Sequence, residues 1–413
     1  MKTVLYITYD GLTDPLGQSQ ILAYLKRLSA LQNKIVILSF EKEELYEREQ
    51  AKIKTTVEDH ELDWVPLRYT KKPPIFSTII DLQRGYRISK QLHRRYDFQI
   101  VHCRGYIPAI IGRRLQKRFG LQFIFDMRGW WPDEKRESGL WDKKIYRPVY
   151  RYFKNREKDF FSSSDFTVSL TNRGKEEIVR QQLADIDKTG VIPTCVDFEI
   201  FKPRDKNTSQ QLRRKLSIRD NEKVFVYSGS LGGNYDPSIL IAVFKAFQQR
   251  YPESYLLILS KDSVSAELGR QFQQANIERM AIYNAPFVEV TNYLRAADVG
   301  FIYYKMSFST IGRSPTKMGE YWASGIPIIS FKGIGDLDYI IEKYPGSGVL
   351  LSGDERKWQD ELNDLNATDA DSLREYALDY FHVENGVKFY QDIYEQLVLS
   401  SKTYERVNKT GSF

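Results

Sequence analysis

Short apolar runs alternate with longer helix-patterned segments along the whole chain, and this alternation constrains the fold more than any other feature. In the first half the strand-like runs are Val4–Tyr9, Ile35–Phe40, Trp64–Tyr69, Phe98–Cys103, Phe123–Met127 and Thr167–Leu170. Helical patterns such as Ser19–Leu31, Ser77–Tyr96 and Pro108–Arg118 lie between them. Strands that are apolar on both sides and separated by helices imply a parallel sheet covered on both faces. The second half repeats the scheme with Val224–Ser228, Tyr255–Leu259, Ala281–Tyr283, Val299–Tyr304, Pro327–Phe331 and Val349–Leu351. Its helical patterns include Ser238–Arg250, Val288–Ala296 and Lys317–Ala323.

A chain of 413 residues is too long for one ordinary core, so two α/β domains of roughly 200 residues each are expected. Each reads as a Rossmann-like, doubly wound unit. The boundaries fall at 1–195 and 196–382, with Pro193–Lys206 as the connection. A last helix of about 383–402 carries apolar residues at helical spacing, among them Val387, Tyr390 and Tyr394. Its place in the chain lets it stay on the second domain or pack back on the first.

Composition narrows the function classes. Cys103 and Cys195 are the only cysteines, so neither a disulfide framework nor a zinc spacing can be built. The first residues enter a strand pattern without a signal-peptide layout, and no apolar run approaches the roughly 20 residues that span a bilayer. A cytoplasmic location is expected. The net charge of +7 is concentrated: residues 143–158 hold seven cations and one carboxylate. Ile145, Tyr146, Val149, Tyr150, Tyr152 and Phe153 are interleaved with them, and Pro148 marks a helix start or kink. This segment reads either as a face for an anionic membrane, placing the protein peripherally on the inner leaflet, or as a solvated helix packing its apolar side inward. No nucleic-acid-reading module accompanies it, so nucleic acid is not an expected partner.

Four clusters follow strand-like runs, where ligands of open α/β sheets gather. The first is Tyr9–Gln20, with Gly11 and Gly17, which reads either as amides at a helix start that suit phosphate or as an ordinary strand-to-helix loop. The second runs Asp126-Met127-Arg128-Gly129-Trp130-Trp131-Pro132-Asp133-Glu134. Arg128 can hold a phosphate in two places and the indoles can form an apolar wall, or Asp126 and Arg128 can pair to organise the loop. The third is His102-Cys103-Arg104-Gly105-Tyr106, in which His102 is a candidate acid or base or a satisfied structural residue. The fourth combines the loop Gly229-Ser230-Leu231-Gly232-Gly233 with the run Arg313–Ile329. In that run Ser314-Pro315-Thr316 opens a helix, Lys317 falls in its first turn, and Glu320 follows on the same face. A positive helix start with Lys317 and Arg313 suits a diphosphate, while Glu320 suits sugar hydroxyls.

The run Ser314–Ile329 resembles the donor-site signature of the family 4 glycosyltransferases, retaining enzymes of the GT-B fold. Asp14–Gln20 and Phe125–Glu134 resemble a bacterial subgroup linked to surface-polysaccharide assembly, and Ile192–Asp197 with Phe201 resembles the family's domain connection. The resemblance implies two Rossmann-like domains facing each other across a cleft, and a nucleotide-diphosphate sugar held mostly by the second. By it, Glu320 would bind the ribose, while Lys317 and the loop Gly229–Gly233 would face the diphosphate. Gly17, Ser230, Ser314, Pro315 and Thr316 join these as donor contacts, and catalysis would proceed without metal or other cofactor. The acceptor would be a glycan or a polyprenyl-linked molecule. The chain departs from the pattern in two places. The family's first Glu falls on Gly312, and the usual Arg and Lys after the second domain's first strand are absent near Ser230 and Asn234. Arg313 and Arg128 are the candidates to replace them, with His102 and Asp126 orienting acceptor or donor.

The step to be catalysed is departure of a nucleoside diphosphate, and preorganised cations and amides at the leaving oxygen are its largest expected aid. Retention rests on the resemblance alone. The acidic pairs Asp185/Asp187, Asp336/Asp338 and Asp369/Asp371 read as solvated loop and helix residues rather than as metal ligands, with Asp336/Asp338, just past a strand, the one pair kept in view. Two other readings stand beside transfer: a nucleotide-sugar 2-epimerase and a non-catalytic nucleotide-sugar-binding protein. A dinucleotide-dependent dehydrogenase is disfavoured by the missing G-x-G-x-x-G spacing.

Overall fold

The computed structural model describes residues 1–410 except 204, 232–235, 261–265, 286 and 366–367, without side chains at 206, 266–268, 287–288 and 400–410. The chain forms two compact units, Met1–Pro193 with Val383–Phe413, and Thr194–His382.

The first unit is a seven-stranded sheet. Its strands are β1 (Lys2–Thr8), β2 (Asn33–Glu41), β3 (Asp63–Arg68), β4 (Ile100–Arg104), β5 (Gln122–Asp126), β6 (Phe166–Ser169) and β7 (Thr189–Val191). The spatial order is β3-β2-β1-β4-β5-β6-β7, and every pairing is parallel. Val4 pairs with Ile35 on one side and Ile100 on the other, so β1 is an interior strand. Order reverses between β1 and β4, which makes their carboxyl ends the natural ligand edge. β7 escaped the apolar-run reading because it is a three-residue edge strand containing Gly190.

The helix Val383–Thr410 belongs to this first unit. Tyr390 and Tyr394 are buried in it, and Gly386 lies so close to Tyr24 that a Cβ would come within 2.5 Å of the ring.

The second unit has six strands: β8 (Lys223–Ser228), β9 (Ser254–Leu259), β10 (Met280–Tyr283), β11 (Val299–Phe301), β12 (Ile328–Phe331) and β13 (Gly348–Leu351). They run in the order β10-β9-β8-β11-β12-β13, again parallel throughout. Here the reversal lies between β8 and β11. Phe225, Phe244, Phe301, Tyr321 and Trp322 fill its core. Gly300 is required by close approach, since a Cβ there would lie 2.4 Å from the Tyr321 ring. Among the described residues no helix is long and apolar enough to cross a membrane.

Candidate functional site

The second unit gathers the residues of the fourth cluster at the carboxyl ends of β8 and β11. β8 ends at Ser228, whose amide donates to the buried Tyr321 hydroxyl at 3.0 Å. The chain then turns at Gly229, which has φ 156°, and Tyr227 closes the turn by donating from its hydroxyl to the Ser230 carbonyl at 2.6 Å. A Cβ on Gly229 would stand 2.9 Å from Lys317 Nζ, so the ammonium lies directly against this backbone. Ser230 is exposed. Gly232 and Gly233, with Asn234, lie outside the described residues.

Lys317 stands in the first turn of the helix Thr316–Ala323, which begins after Pro315 without a side-chain cap. No side chain of the N-cap residue neutralises the positive helix end, which suits an anion. Ser314 shapes this entry from the other side: the Thr194 amide donates to its Oγ at 3.2 Å, and Thr194 Oγ1 donates to its carbonyl at 3.3 Å. The Arg313 guanidinium lies 4.7 Å from the Tyr304 ring centroid, a cation–π contact that holds it beside the helix entry. Gly319 faces Val196 and Phe381 at distances that admit no side chain, which seats this helix deep in the unit. Glu320 is buried one turn on. Burial raises its carboxyl to about 7, against the pull of the Lys317 charge.

The first unit holds a second constellation at the ends of β1, β4 and β5. His102, Arg104 and Asp126 are buried there, and Arg128 is nearly so. Asp126 Oδ2 lies 3.7 Å from His102 Nε2 and 3.9 Å from Arg104 Nη1, while its Oδ1 lies 3.6 Å from Arg128 Nη1. Burial alone would raise Asp126, but Arg128, His102 and Arg104 together outweigh it and hold the carboxyl down at about 2. Burial lowers His102 against the pull of Asp126, so its imidazole is neutral. The C-terminal helix completes the nest. Tyr390 donates to Asp126 Oδ2 at 3.0 Å, and the Tyr394 hydroxyl meets His102 Nδ1 at 2.8 Å. Arg128 itself sits at φ 55°, a left-handed conformation that bulky residues seldom adopt.

Three expectations are corrected. The loop amides of the first cluster are taken: Glu41, buried at the end of β2, accepts from the amides of Leu12 and Thr13 at 2.8 and 3.1 Å. A phosphate there would meet a carboxylate. Gly17 is a packing glycine, since a Cβ would overlap the Gly11 carbonyl. Trp130 is fully buried core, and the half-buried Trp131 packs among Tyr106, Trp141 and Phe153, so the pair does not form a ligand wall. Asp336 is buried and accepts from the Tyr380 hydroxyl at 3.3 Å, rather than facing solvent. Asp369 caps the helix Ala370–Phe381 through the amides of Asp371 and Ser372.

Glu41, Arg104, Tyr321, Tyr390 and Tyr394 were missed as organising residues. Glu41 and Arg104 had a signal: each is a charged residue ending a buried strand, where a partner is obligatory. The tyrosines had none, because their partners lie far away in sequence.

Within the basic segment, the helix Arg147–Ser163 carries Pro148 in its first turn. Lys154 is drawn inward between Asp133 and Glu157, and Arg156 pairs with Asp159. Lys143, Lys144, Arg147, Arg151 and Lys158 remain exposed, with Ile145 and Tyr152 beside them.

Two parallel-sheet units of seven and six strands constitute the GT-B glycosyltransferase fold, and solved structures of that fold superpose on nearly the whole chain. A glycosyltransferase from Rickettsia africae covers 96% of this chain and 98% of its own, with TM-score 0.69 and 14% identity. The Anabaena protein HepE, solved with UDP and glucose, covers 96% of this chain and 100% of its own, with TM-score 0.68 and 15% identity. Residues 17–200 match the family model described as Glycosyltransferase Family 4. Among curated proteins, the D-inositol 3-phosphate glycosyltransferase of Paenarthrobacter aurescens is 23% identical over 284 residues, 67% of this chain and 65% of that protein. Its counterpart from Corynebacterium diphtheriae is 23% identical over 68% of this chain and 64% of its own. The chain thus spans just under two thirds of these relatives' length.

Proposed function

We propose that the chain is a retaining glycosyltransferase that moves a hexosyl group from a nucleoside-diphosphate sugar to a glycan or polyprenyl-linked acceptor in surface-polysaccharide assembly. The observation that carries this reading is the uncapped start of the helix Thr316–Ala323, with Lys317 against Gly229 and Glu320 buried one turn on. An open helix end and an ammonium beside close backbone suit a diphosphate, and a buried carboxylate suits a ribose diol. Lys317 and the helix amides would stabilise charge growing on the leaving oxygen, with Arg313 as a further cation. On this reading these cations take the place of a metal, and retention is carried over from the family resemblance. In the first unit Arg128 would face acceptor or donor, while His102 and Asp126, both buried, would orient it. UDP-glucose is the first donor to try, because HepE has also been solved with it.

The names of the curated relatives favour a second acceptor, a phosphorylated polyol such as D-inositol 3-phosphate. Exposed Lys143, Lys144, Arg147 and Arg151 favour the lipid-linked one, since they suit an anionic inner leaflet. The test is nucleoside-diphosphate release from a panel of donors, alone, with membrane lipid extract, and with inositol 3-phosphate. Release stimulated by either acceptor supports transfer and chooses between them. Epimerised sugar without acceptor would point to a 2-epimerase. Tight donor binding without turnover would leave a binding protein.

A further inference from the structure

The first unit exposes a compact group of large apolar side chains away from the residues discussed so far. Ile75, Phe76, Ile79 and Ile80 are all exposed, Phe76 at 67%, where the chain leaves β3 and enters the helix Phe76–Tyr96. Amphipathic helices normally turn such residues inward. Here the inward face is Ser77, Asp81, Leu82, Gly85 and Ser89. Asp81 is fully buried and accepts from the Tyr9 hydroxyl at 3.0 Å, from Thr70 Oγ1 at 2.7 Å and from the Thr70 amide at 3.0 Å. These bonds fix the helix's rotation, so the four apolar side chains point outward because the helix is anchored. Ile75 is at φ 70°, a costly conformation for a β-branched residue.

Along the chain, the flanking charge has one sign. Lys71 and Lys72 precede the group, Arg87 and Lys90 follow it, and Asp81 is the sole carboxylate from 69 to 90. The helix Phe76–Tyr96 packs on Tyr106–Phe119, which packs on Arg147–Ser163. All three start on the side of the sheet where β3, β4 and β5 end. The apolar group and the exposed cations Lys143, Lys144, Arg147 and Arg151 therefore belong to one helix layer and open at one edge.

We propose that Lys71–Ile80 is an insertion wedge for an anionic bilayer. Phe76, Ile79 and Ile80 enter the boundary between headgroups and acyl chains, while Lys71 and Lys72 meet headgroup phosphates. Uniform positive charge around an apolar tip selects anionic lipid over a neutral protein surface. The proposal deepens the membrane reading above and rests on it, but not on the chemistry of transfer.

The full chain is sedimented with phosphatidylcholine vesicles with and without phosphatidylglycerol. Wild type is expected to bind the anionic vesicles, and F76S/I79S/I80S to bind about tenfold less or weaker, with unchanged thermal unfolding. Both native cysteines are buried, so a Phe76→Cys variant takes an environment-sensitive thiol dye at that site alone, and its emission is expected to shift to the blue on anionic vesicles. Unchanged binding by the triple variant and an unshifted dye, while K143A/K144A/R147A/R151A loses binding, would overturn the wedge and leave the membrane reading intact. Failure of wild type to bind anionic vesicles would overturn both. A triple variant that loses self-association instead of vesicle binding would make the patch a protein interface and also overturn the proposal.

Discussion

Lys317 Nζ lies where a Cβ on residue 229 would come within 2.9 Å of it, so the ammonium and the Gly229 backbone are fitted to each other. Gly229→Ala would displace the lysine tip, which is flexible, rather than the core. Binding of UDP or UDP-glucose by calorimetry should weaken about tenfold, as expected when a charge-assisted hydrogen bond is lost. The temperature of thermal unfolding should also fall, because φ 156° at this position disfavours a side chain. Undiminished affinity in this variant would remove Lys317 from the diphosphate site.

If Glu320 contacts the donor as proposed, donor binding and stability should run in opposite directions with pH. Burial raises its carboxyl to about 7 in the folded chain, above the ordinary carboxylate range of an unfolded one. The folded state therefore holds the proton more tightly. The stabilisation is complete below the unfolded value and is lost as pH rises through about 7. Hydroxyls of a ribose are held better by the carboxylate, so donor affinity should increase over that same rise. Glu320→Gln should flatten both profiles. An unchanged affinity profile in that variant would show that Glu320 does not contact the donor.

What was legible in the sequence was what local pattern determines. Twelve of the thirteen strands announced themselves as apolar runs, because a doubly covered parallel strand must be apolar on both faces. The entry of the helix Thr316–Ala323 was legible too, since Pro315 and the charge spacing act within one turn. Interactions across long sequence distances were not. Glu41 closes a loop 28 residues upstream, and Tyr390 reaches Asp126 across 264 residues. The first loop looked like a phosphate cradle because its glycines were visible and the carboxylate filling it was not. Likewise the adjacent indoles of Trp130 and Trp131 suggested a ligand wall, whereas Trp131 packs with Trp141 and Phe153.

Metal dependence tests the charge accounting of the donor site directly. If Lys317, Arg313 and the helix amides stabilise the leaving diphosphate, turnover should be unchanged by EDTA and by added magnesium or manganese. Lys317→Ala should lower kcat/KM by about a hundredfold or more, the scale seen when a preorganised oxyanion donor is removed. A variant rescued by added divalent metal, or a wild type silenced by EDTA, would assign that charge to an ion instead.

The Tyr390–Asp126 bond makes the C-terminal helix part of the nest in the first unit. Asp126 is fully buried beside Arg104 and Arg128, so each hydrogen bond to its carboxylate is made in a medium that cannot replace it. Tyr390→Phe deletes one such bond, without deleting the ring that packs on Tyr24 and His102. It should cost about 1.5–3 kcal/mol in denaturant unfolding with an unchanged slope. Tyr394→Phe deletes a bond to the His102 imidazole rather than to a carboxylate and should cost less, about 0.5–1.5 kcal/mol. Asp126→Asn strips the charge that balances two buried guanidinium groups and should cost most, about 3–5 kcal/mol. Because the Asp126 carboxyl is held near 2 when folded, its contribution is complete above the unfolded carboxylate range and is lost only as pH falls towards 2. The difference in stability between wild type and Asp126→Asn should therefore shrink on acidification over that window. A difference that stayed constant from neutral pH to pH 2 would mean that the nest is held by packing, with the charges incidental.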